Sequence, residues 1–163
     1  MSIETVRAFL AAHAPDLAMI ELAESTATVA LAAKGHGVAP ARIAKTLSLR
    51  IGSRTVLVVT RGDARLDNKK AKAAFGGKVR MLDAADVVAV TGHPVGGVCP
   101  FGLATPLPVY CDISLQDFDE VLPAAGSLQS AVRINPLRMA QLVQAEWVDV
   151  CTVGTLPSDG GDV

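Results

Sequence analysis

Residues 45–60, KTLSLRIGSRTVLVVT, give the clearest indication of how this chain folds. Up to Ile51, apolar residues alternate with polar ones, which is typical of a half-buried strand. Gly52-Ser53 suits a tight turn, and residues 55–60 have the apolar, β-branched character of a second strand, so the stretch predicts a hairpin. Lys45 lies on the apolar, inward face of the first strand, where an ammonium group needs water or a partner.

Helices alternate with short strands on both sides of this hairpin. The sequence predicts helices over 2–14, 25–33, 67–76, 83–91, 114–122 and 135–144, and strands over 19–22, 78–82, 109–113, 128–134 and 147–151. Because a hairpin lies among strand–helix units, we expect an α/β domain whose central sheet is mixed and flanked by helices. No linker interrupts the pattern, so we expect one domain over 1–152 and a flexible tail at 153–163.

Composition excludes several classes of protein. The chain has 163 residues, of which 50% are hydrophobic and 19% charged, so it can bury a core and is not a disordered tail. The chain contains no run of about 18 apolar residues, so the sequence predicts no membrane span. The charged Glu4 and Arg7 do not fit a signal peptide. The three cysteines (Cys99, Cys111, Cys151) form no C-x-x-C pair, which predicts neither a disulfide framework nor a zinc site, and we expect a reducing cytoplasm.

Charge is distributed unevenly along the chain, although the net charge is only −1. Residues 42–80 contain eleven lysines and arginines but only two acidic residues, whereas residues 81–163 are strongly acidic. The middle of the chain therefore has enough positive charge to meet phosphates. The alternative is a set of solvated surface charges without a partner.

The loop GHPVGGVCPFG, residues 92–102, is the strongest local feature. Adjacent glycines let a ligand approach the backbone closely, and successive amide groups can bind a carbonyl oxygen as an oxyanion hole does. The loop is neither a phosphate-binding P-loop nor a dinucleotide motif, because no Gly-Lys-Ser/Thr follows it and no helix begins after it. A loop that uses glycines only for turning is the alternative.

Several motifs together resemble one known family. Residues 96–102, GGVCPFG, look like the G-x-x-x-P loop of the YbaK and prolyl-tRNA synthetase-associated domain family, and residues 43–47, IAKTL, resemble its Lys-Thr-Leu strand motif. The Arg61-Gly62-Asp63 turn before the Lys69-Lys70 helix and residues 109–112, VYCD, are similar as well. The motifs occur in the family's order, and the resemblance covers about residues 20–150.

The resemblance implies an activity. Members of this family hydrolyse the ester of an amino acid wrongly attached to tRNA, most often tRNA for proline. It also implies a barrel-like central sheet, no metal or other cofactor, and a terminal ribose hydroxyl of the tRNA that helps to activate water. The implied catalytic residues are Lys45, which contacts the phosphate and ribose of the acceptor end, and Gly96 and Gly97, whose backbone holds the aminoacyl carbonyl.

Further contacts are expected around the same pocket. The residues expected to touch the substrate are Thr46, His93, Val98, Cys99, Pro100, Phe101, Gly102 and Asp112, and those expected along the tRNA backbone are Arg61, Arg65, Lys69, Lys70 and Lys72. Alternatives remain for some of them: Cys99 and His93 as a nucleophile pair, Asp112 as a helix cap, and the lysines as solvated surface charges. We expect His13 and His36 to lie at the surface or the edge of the core.

The sequence therefore predicts a cytoplasmic trans-editing enzyme, an aminoacyl-tRNA deacylase that acts on mischarged tRNA for proline. Prolyl-tRNA synthetase or an elongation factor would be its partner, with no role for a membrane or for DNA. The alternative is a non-catalytic module that binds tRNA, a nucleotide or a synthetase through the same pocket.

Overall fold

A computed structural model describes residues 2–153. The predicted tail at 153–163 lies outside the described residues, except for Val153, which ends the last strand. The helices are α1 (Ser2–His13), α2 (Val29–His36), α3 (Asn68–Phe75), α4 (Ala84–Thr91) and α5 (Pro136–Leu142). The strands are β1 (Met19–Glu21), β2 (Ile43–Ile51), β3 (Arg54–Arg61), β4 (Ala64–Leu66), β5 (Val79–Met81), β6 (Val109–Asp112), β7 (Leu122–Pro123), β8 (Ser130–Val132), β9 (Glu146–Val148) and β10 (Cys151–Val153).

A six-stranded mixed sheet forms the centre of the α/β domain. Its strands follow the order β5-β2-β3-β6-β9, and β7 pairs with the beginning of β2. The β2–β3 hairpin and the β2–β5 pair are antiparallel, whereas β3–β6, β6–β9 and β2–β7 are parallel, which confirms the mixed sheet. The pairs β1–β8 and β4–β10 form two small separate sheets. No sheet within residues 2–153 closes on itself, so the barrel-like description is not confirmed.

The two faces of the central sheet bury different cores. On one face, Leu57 and Val59 of β3 pack with Val6 of α1 in the larger core, and Ala44 of β2 belongs to the same cluster. On the other face, Leu49 of β2 packs with α3 and with the β4–β10 pair. Because side chains alternate along a strand, Thr46 and Ser48 share the face of Ala44, and Lys45 lies on the α3 side.

Capping residues locate several predicted helices correctly. Asp67, Asp83 and Asn135 accept hydrogen bonds from the first amides of α3, α4 and α5, as the sequence predicts. The expected N-cap at Ser25 is wrong, because Thr28 caps α2 instead and accepts a hydrogen bond from the Leu31 amide at 3.1 Å. None of the helices within residues 2–153 has the length and hydrophobicity that a membrane span requires.

Two other predicted elements differ because tertiary pairing divides them. The expected helix over 114–122 is a short 3₁₀ helix, Ile113–Asp117, and the chain then extends because β7 pairs with the buried start of β2. The expected strand over 147–151 is two strands, β9 and β10, which belong to different sheets. Strand β4 was not predicted, since three residues are too few to show a period.

Candidate active site

A cavity of about 330 Å³ lies between α2, the first half of β2 and the glycine loop. Lys45, Thr46, Gly96 and Val98, all predicted from the sequence as site residues, line it together. Lys45 and Gly96 are far apart in the chain, and the fold brings both to this cavity, although the Lys45 ammonium is directed to the α3 side of β2, against the Ala64 carbonyl. Most of the remaining wall is apolar and is formed by α2, β5, α4 and the chain from β7 to β8.

The loop residues 94–97 form a tight turn at the cavity wall. The Gly97 amide donates a hydrogen bond to the Pro94 carbonyl at 2.8 Å, and Gly96 has a φ of +93°, as in the third position of a type II turn. A Cβ on Gly96 would also lie 2.9 Å from the Cβ of Ala27. Among the described residues, the amides of Gly96 and Val98 donate to no protein acceptor, so both are free to bind a ligand oxygen.

Gly97 holds this loop in place. It is buried, its amide is used inside the turn, and its carbonyl accepts a hydrogen bond from the Gly126 amide at 3.1 Å. A Cβ at this position would lie 2.8 Å from the backbone of Ser127. Gly97 does not line the cavity, and its amide is not free for a substrate carbonyl. The structure therefore replaces its expected catalytic contact with a packing role.

Lys45 is held beside the turn between β3 and β4. Its Nζ donates a hydrogen bond to the Ala64 carbonyl at 2.6 Å. Burial lowers the pKa of Lys45, although nearby Asp63 favours its charged form. Arg61 fixes the turn by pairing with Asp63 at 2.6 Å and with Asp117 at 2.7 Å. Consequently Arg61 is engaged within the protein and is not a free contact for a tRNA backbone.

Two polar atoms at the cavity residues have no partner. Among the described residues, Thr46 Oγ1 and His36 Nε2 are the buried side-chain nitrogen and oxygen atoms without a hydrogen bond, and both residues line the cavity. Leaving such an atom unpaired costs about 1–3 kcal/mol. Burial, followed by the charge of Arg133, lowers the pKa of His36, so its imidazole is neutral at pH 7. The two unpartnered atoms, Thr46 Oγ1 and His36 Nε2, indicate that the cavity binds a ligand with polar groups of its own.

His36 is the site residue that the sequence analysis missed. Val29, Ala32 and His36 occur at i, i+3 and i+7, so they share the face of α2 that lines the cavity. The predicted helix ended at Ala33 and left His36 outside this pattern. Gly37, in the left-handed conformation at the C-cap, is the signal that would have placed His36 within the last turn.

His93 and Cys99 lie behind the cavity wall and do not form a nucleophile pair. The carbonyl of Phe101 can only accept a hydrogen bond, so His93 Nε2, at 2.7 Å, carries the proton and Nδ1 accepts from the Ser2 hydroxyl at 2.6 Å. Nε2 therefore cannot act as a base for the Cys99 thiol, 3.6 Å away. Burial raises the pKa of Cys99 to about 12, which keeps it protonated.

The other predicted loop contacts are structural as well. None of the residues Pro100, Phe101, Gly102 and Asp112 lines the cavity. A Cβ on Gly102 would lie 2.6 Å from the Thr5 carbonyl, because the loop packs against α1 there. The carboxylate of Asp112 accepts hydrogen bonds from the amides of Ser114 and Val150 at 3.0 and 2.8 Å. Asp112 therefore caps the 3₁₀ helix that follows it, which is the alternative given for it from the sequence. Within residues 2–153, no three His, Cys, Asp or Glu side chains are grouped to hold a metal ion.

The basic residues predicted to contact tRNA are also away from the cavity. Lys70 pairs with Asp149 at 3.1 Å and donates to the Cys151 carbonyl. Arg65, Lys69 and Lys72 are exposed and form no ion pair with the described part of the chain. Helix α3, which carries the three lysines, packs on the sheet face opposite Thr46 and Ser48.

The segment that builds this cavity has known relatives. The family model of the aminoacyl-tRNA editing domain matches residues 23–142, which include α2, Lys45 and the glycine loop. This chain belongs to the aminoacyl-tRNA editing domain family. The editing domain is 44% identical to the uncharacterized protein YwhH of Bacillus subtilis, over 93% of this chain and 98% of that protein.

Two further relatives have more informative names. The editing domain is 32% identical to EbsC of Enterococcus faecalis, named as a candidate Cys-tRNA(Pro)/Cys-tRNA(Cys) deacylase, over 74% of each chain. A crystal structure described as a candidate trans-editing enzyme for prolyl-tRNA synthetase superposes with a TM-score of 0.86 at 32% identity, covering 93% of this chain and 97% of that one. These matches confirm the predicted family.

Proposed function

We propose that this editing domain is a deacylase that acts in trans and hydrolyses the ester of an amino acid wrongly attached to tRNA for proline. The observation that supports it most directly is the cavity shared by Lys45, Thr46 and the free amides of the glycine loop. The names of EbsC and of the similar crystal structure fit the same acceptor and a functional link to prolyl-tRNA synthetase. The free cysteines fit a reducing cytoplasm.

The proposed chemistry is an attack of water on the ester carbonyl. The carbonyl oxygen becomes an oxyanion, and the amides of Gly96 and Val98 are the free donors at the cavity that stabilise it. The ester C–O bond then breaks, releasing the amino acid and restoring the ribose hydroxyl of the tRNA. His93 is enclosed by its own hydrogen bonds and is not available as a base, and in this proposal a hydroxyl of the substrate's terminal ribose assists the water.

Lys45 binds the acceptor end in this proposal. Its ammonium is half-buried, and a charge in such an environment attracts a phosphate more strongly than a fully solvated one. The bond to the Ala64 carbonyl uses one of its three protons and holds the ammonium on the α3 side of β2, so the other two are left for a phosphate that passes the turn between β3 and β4. Thr46 and His36 then bind polar groups of the aminoacyl moiety and gain the partners they lack in the free protein.

Thr46→Val is expected to raise stability and lower activity. The valine keeps the shape but removes a hydroxyl that has no partner, so we expect unfolding to cost about 1 kcal/mol more. The same change removes a substrate contact, and kcat/KM should fall about tenfold. Thr26→Val is the matched control, because the Thr26 hydroxyl lines the same cavity but already donates to the Leu128 carbonyl. That control should lose stability; a loss of stability in Thr46→Val as well would contradict our assignment.

Activity should decline with rising pH, and the midpoint of this decline should lie below the pKa of an ordinary lysine. Because burial lowers the pKa of Lys45 below its usual 10.5, the ammonium loses its proton earlier as pH rises, and with it the contact to the phosphate. The measurement is kcat/KM against pH, corrected for spontaneous ester hydrolysis. An alkaline midpoint at or above 10.5 would show that Lys45 does not supply the required charge.

The direct test is release of amino acid from a panel of Ala-, Cys-, Ser- and Thr-tRNA for proline, with correctly charged Pro-tRNA as the control. We expect hydrolysis of at least one mischarged species and none of Pro-tRNA. Tight binding of tRNA without release from any member of the panel would indicate the non-catalytic binding module instead.

A further inference from the structure

Two arginines face each other across the β2–β5 pair. Arg50 and Arg80 are directly opposite in the antiparallel register, so their side chains project from the same face of the sheet. Arg80 is exposed and Arg50 is half-buried. Neither forms an ion pair with any residue from 2 to 153. Like charges placed in this way destabilise a sheet.

More positive charge lies at the same end of this strand pair. Arg54, Lys78 and Arg80 line an open groove between the β2–β3 turn and the end of α3, and no acidic residue lines it. Arg54 donates to the Phe75 carbonyl at 2.7 Å and so stabilises the C-terminus of α3. Lys78 has no such bond within the described residues. Arg50, Lys78 and Arg80 are therefore unneutralised cations, and we name them the β5-edge cations.

The β5-edge cations lie next to the cavity. Arg50 follows Thr46 and Ser48 on one face of β2, and both of those residues line the cavity. The Leu82 amide donates to the Ser48 carbonyl at 3.0 Å, which ties the chain after Arg80 to the cavity wall. At about 3.3 Å per residue, Arg50 is about 13 Å along the strand from Thr46.

We propose that the β5-edge cations bind the phosphates of the single-stranded 3′ end of tRNA as it leaves the cavity. The inference depends on the proposed function for the identity of the ligand, but the surface is defined by charge alone. A polyanion neutralises the Arg50–Arg80 pair and removes the repulsion present in the free protein. The α3 lysines, which the sequence predicts either as tRNA contacts or as solvated surface charges, do not line the cavity.

The test compares three double variants, each of which removes two positive charges. Arg50→Gln/Arg80→Gln removes the proposed contacts, and Lys69→Gln/Lys72→Gln removes the competing lysines. Arg7→Gln/Arg138→Gln is the control, because both arginines form exposed ion pairs elsewhere. The probe is a fluorescent RNA oligonucleotide that ends in CCA and carries no amino acid. Its affinity is measured by anisotropy over a range of salt concentrations. Circular dichroism confirms that each variant is folded.

Affinity falls as salt rises, and loss of two phosphate contacts in Arg50→Gln/Arg80→Gln should make this dependence shallower. The magnitude of the slope of log affinity against log salt should decrease by about 1.4. The control should keep the wild-type slope. An unchanged slope in the arginine variant, or the decrease appearing in the lysine variant instead, would overturn the proposal.

Hydrolysis separates this inference from the proposed function. The arginine variant should lose kcat/KM on aminoacyl-tRNA but keep it on aminoacyl-adenosine, which has no phosphates. If the wild-type protein hydrolyses neither substrate, the deacylase proposal fails, and the RNA-binding slopes still decide the role of the β5-edge cations. Equal losses on both substrates would show that the arginines act on the cavity rather than on the phosphates.

Discussion

Lys45→Met is expected to lower the rate of aminoacyl-tRNA hydrolysis by about 100-fold, the loss that follows removal of one well-placed polar contact from a transition state. Methionine keeps the length and apolar character of the side chain, so the substitution removes chiefly the charge. The lost bond to the Ala64 carbonyl is offset because the half-buried ammonium no longer has to be desolvated. We therefore expect only a small change in melting temperature.

Single-turnover hydrolysis of mischarged tRNA at subsaturating protein, which reports kcat/KM, measures this effect. Lys34→Met is the control, since Lys34 is exposed on α2 and does not line the cavity. It should retain wild-type activity. If Lys45→Met hydrolyses the ester at a rate within threefold of wild type, the ammonium has no part in the reaction and the proposed mechanism must be abandoned.

Gly97→Ala is expected to destabilise the protein by about 3 kcal/mol, which corresponds to a decrease of about 6–12 °C in melting temperature. The new Cβ would lie 2.8 Å from the carbonyl carbon and oxygen of Ser127, and backbone atoms cannot move aside as a side chain can. The loop would have to shift, and Gly96 with it, so hydrolysis should decrease as well.

Gly77→Ala is the matched control for this substitution. Its Cβ would meet only the Cγ2 methyl of Ile51, at 3.2 Å, and that side chain can adjust. Thermal unfolding followed by circular dichroism compares the two variants. Equal melting temperatures for Gly97→Ala and the wild type would show that the backbone of Ser127 does not crowd this position at 2.8 Å.

Local pattern was enough to locate many of the elements. The alternation in β2 and β3 is repeated over enough residues to define both strands, the turn between them and the face of Lys45. Caps at Asp67, Asp83 and Asn135 act within one turn of helix, so they too can be recognised locally. The loop at 92–102 stands out because its glycines are adjacent in sequence, and the structure places Gly96 and Val98 at the cavity wall.

The roles within that loop could not be predicted in the same way. Gly96 and Gly97 are neighbours, yet one lines the cavity and the other packs against Ser127, thirty residues away in the chain. His93 has the chemistry of a catalytic residue, but contacts with Ser2 and Phe101 enclose it. Such partners are distant in sequence, and no period or motif reports them.

Short-range periodicity and motifs of adjacent residues are enough to predict the mixed α/β architecture, the hairpin and the family, and to place Lys45 on the first strand of the hairpin. Contacts between distant segments bring His36 to Thr46 at the cavity, give Gly97, His93 and Asp112 their roles in packing, and place Arg50 opposite Arg80. No local pattern reports these features, because burial and cross-strand register depend on contacts that exist only once the chain has folded.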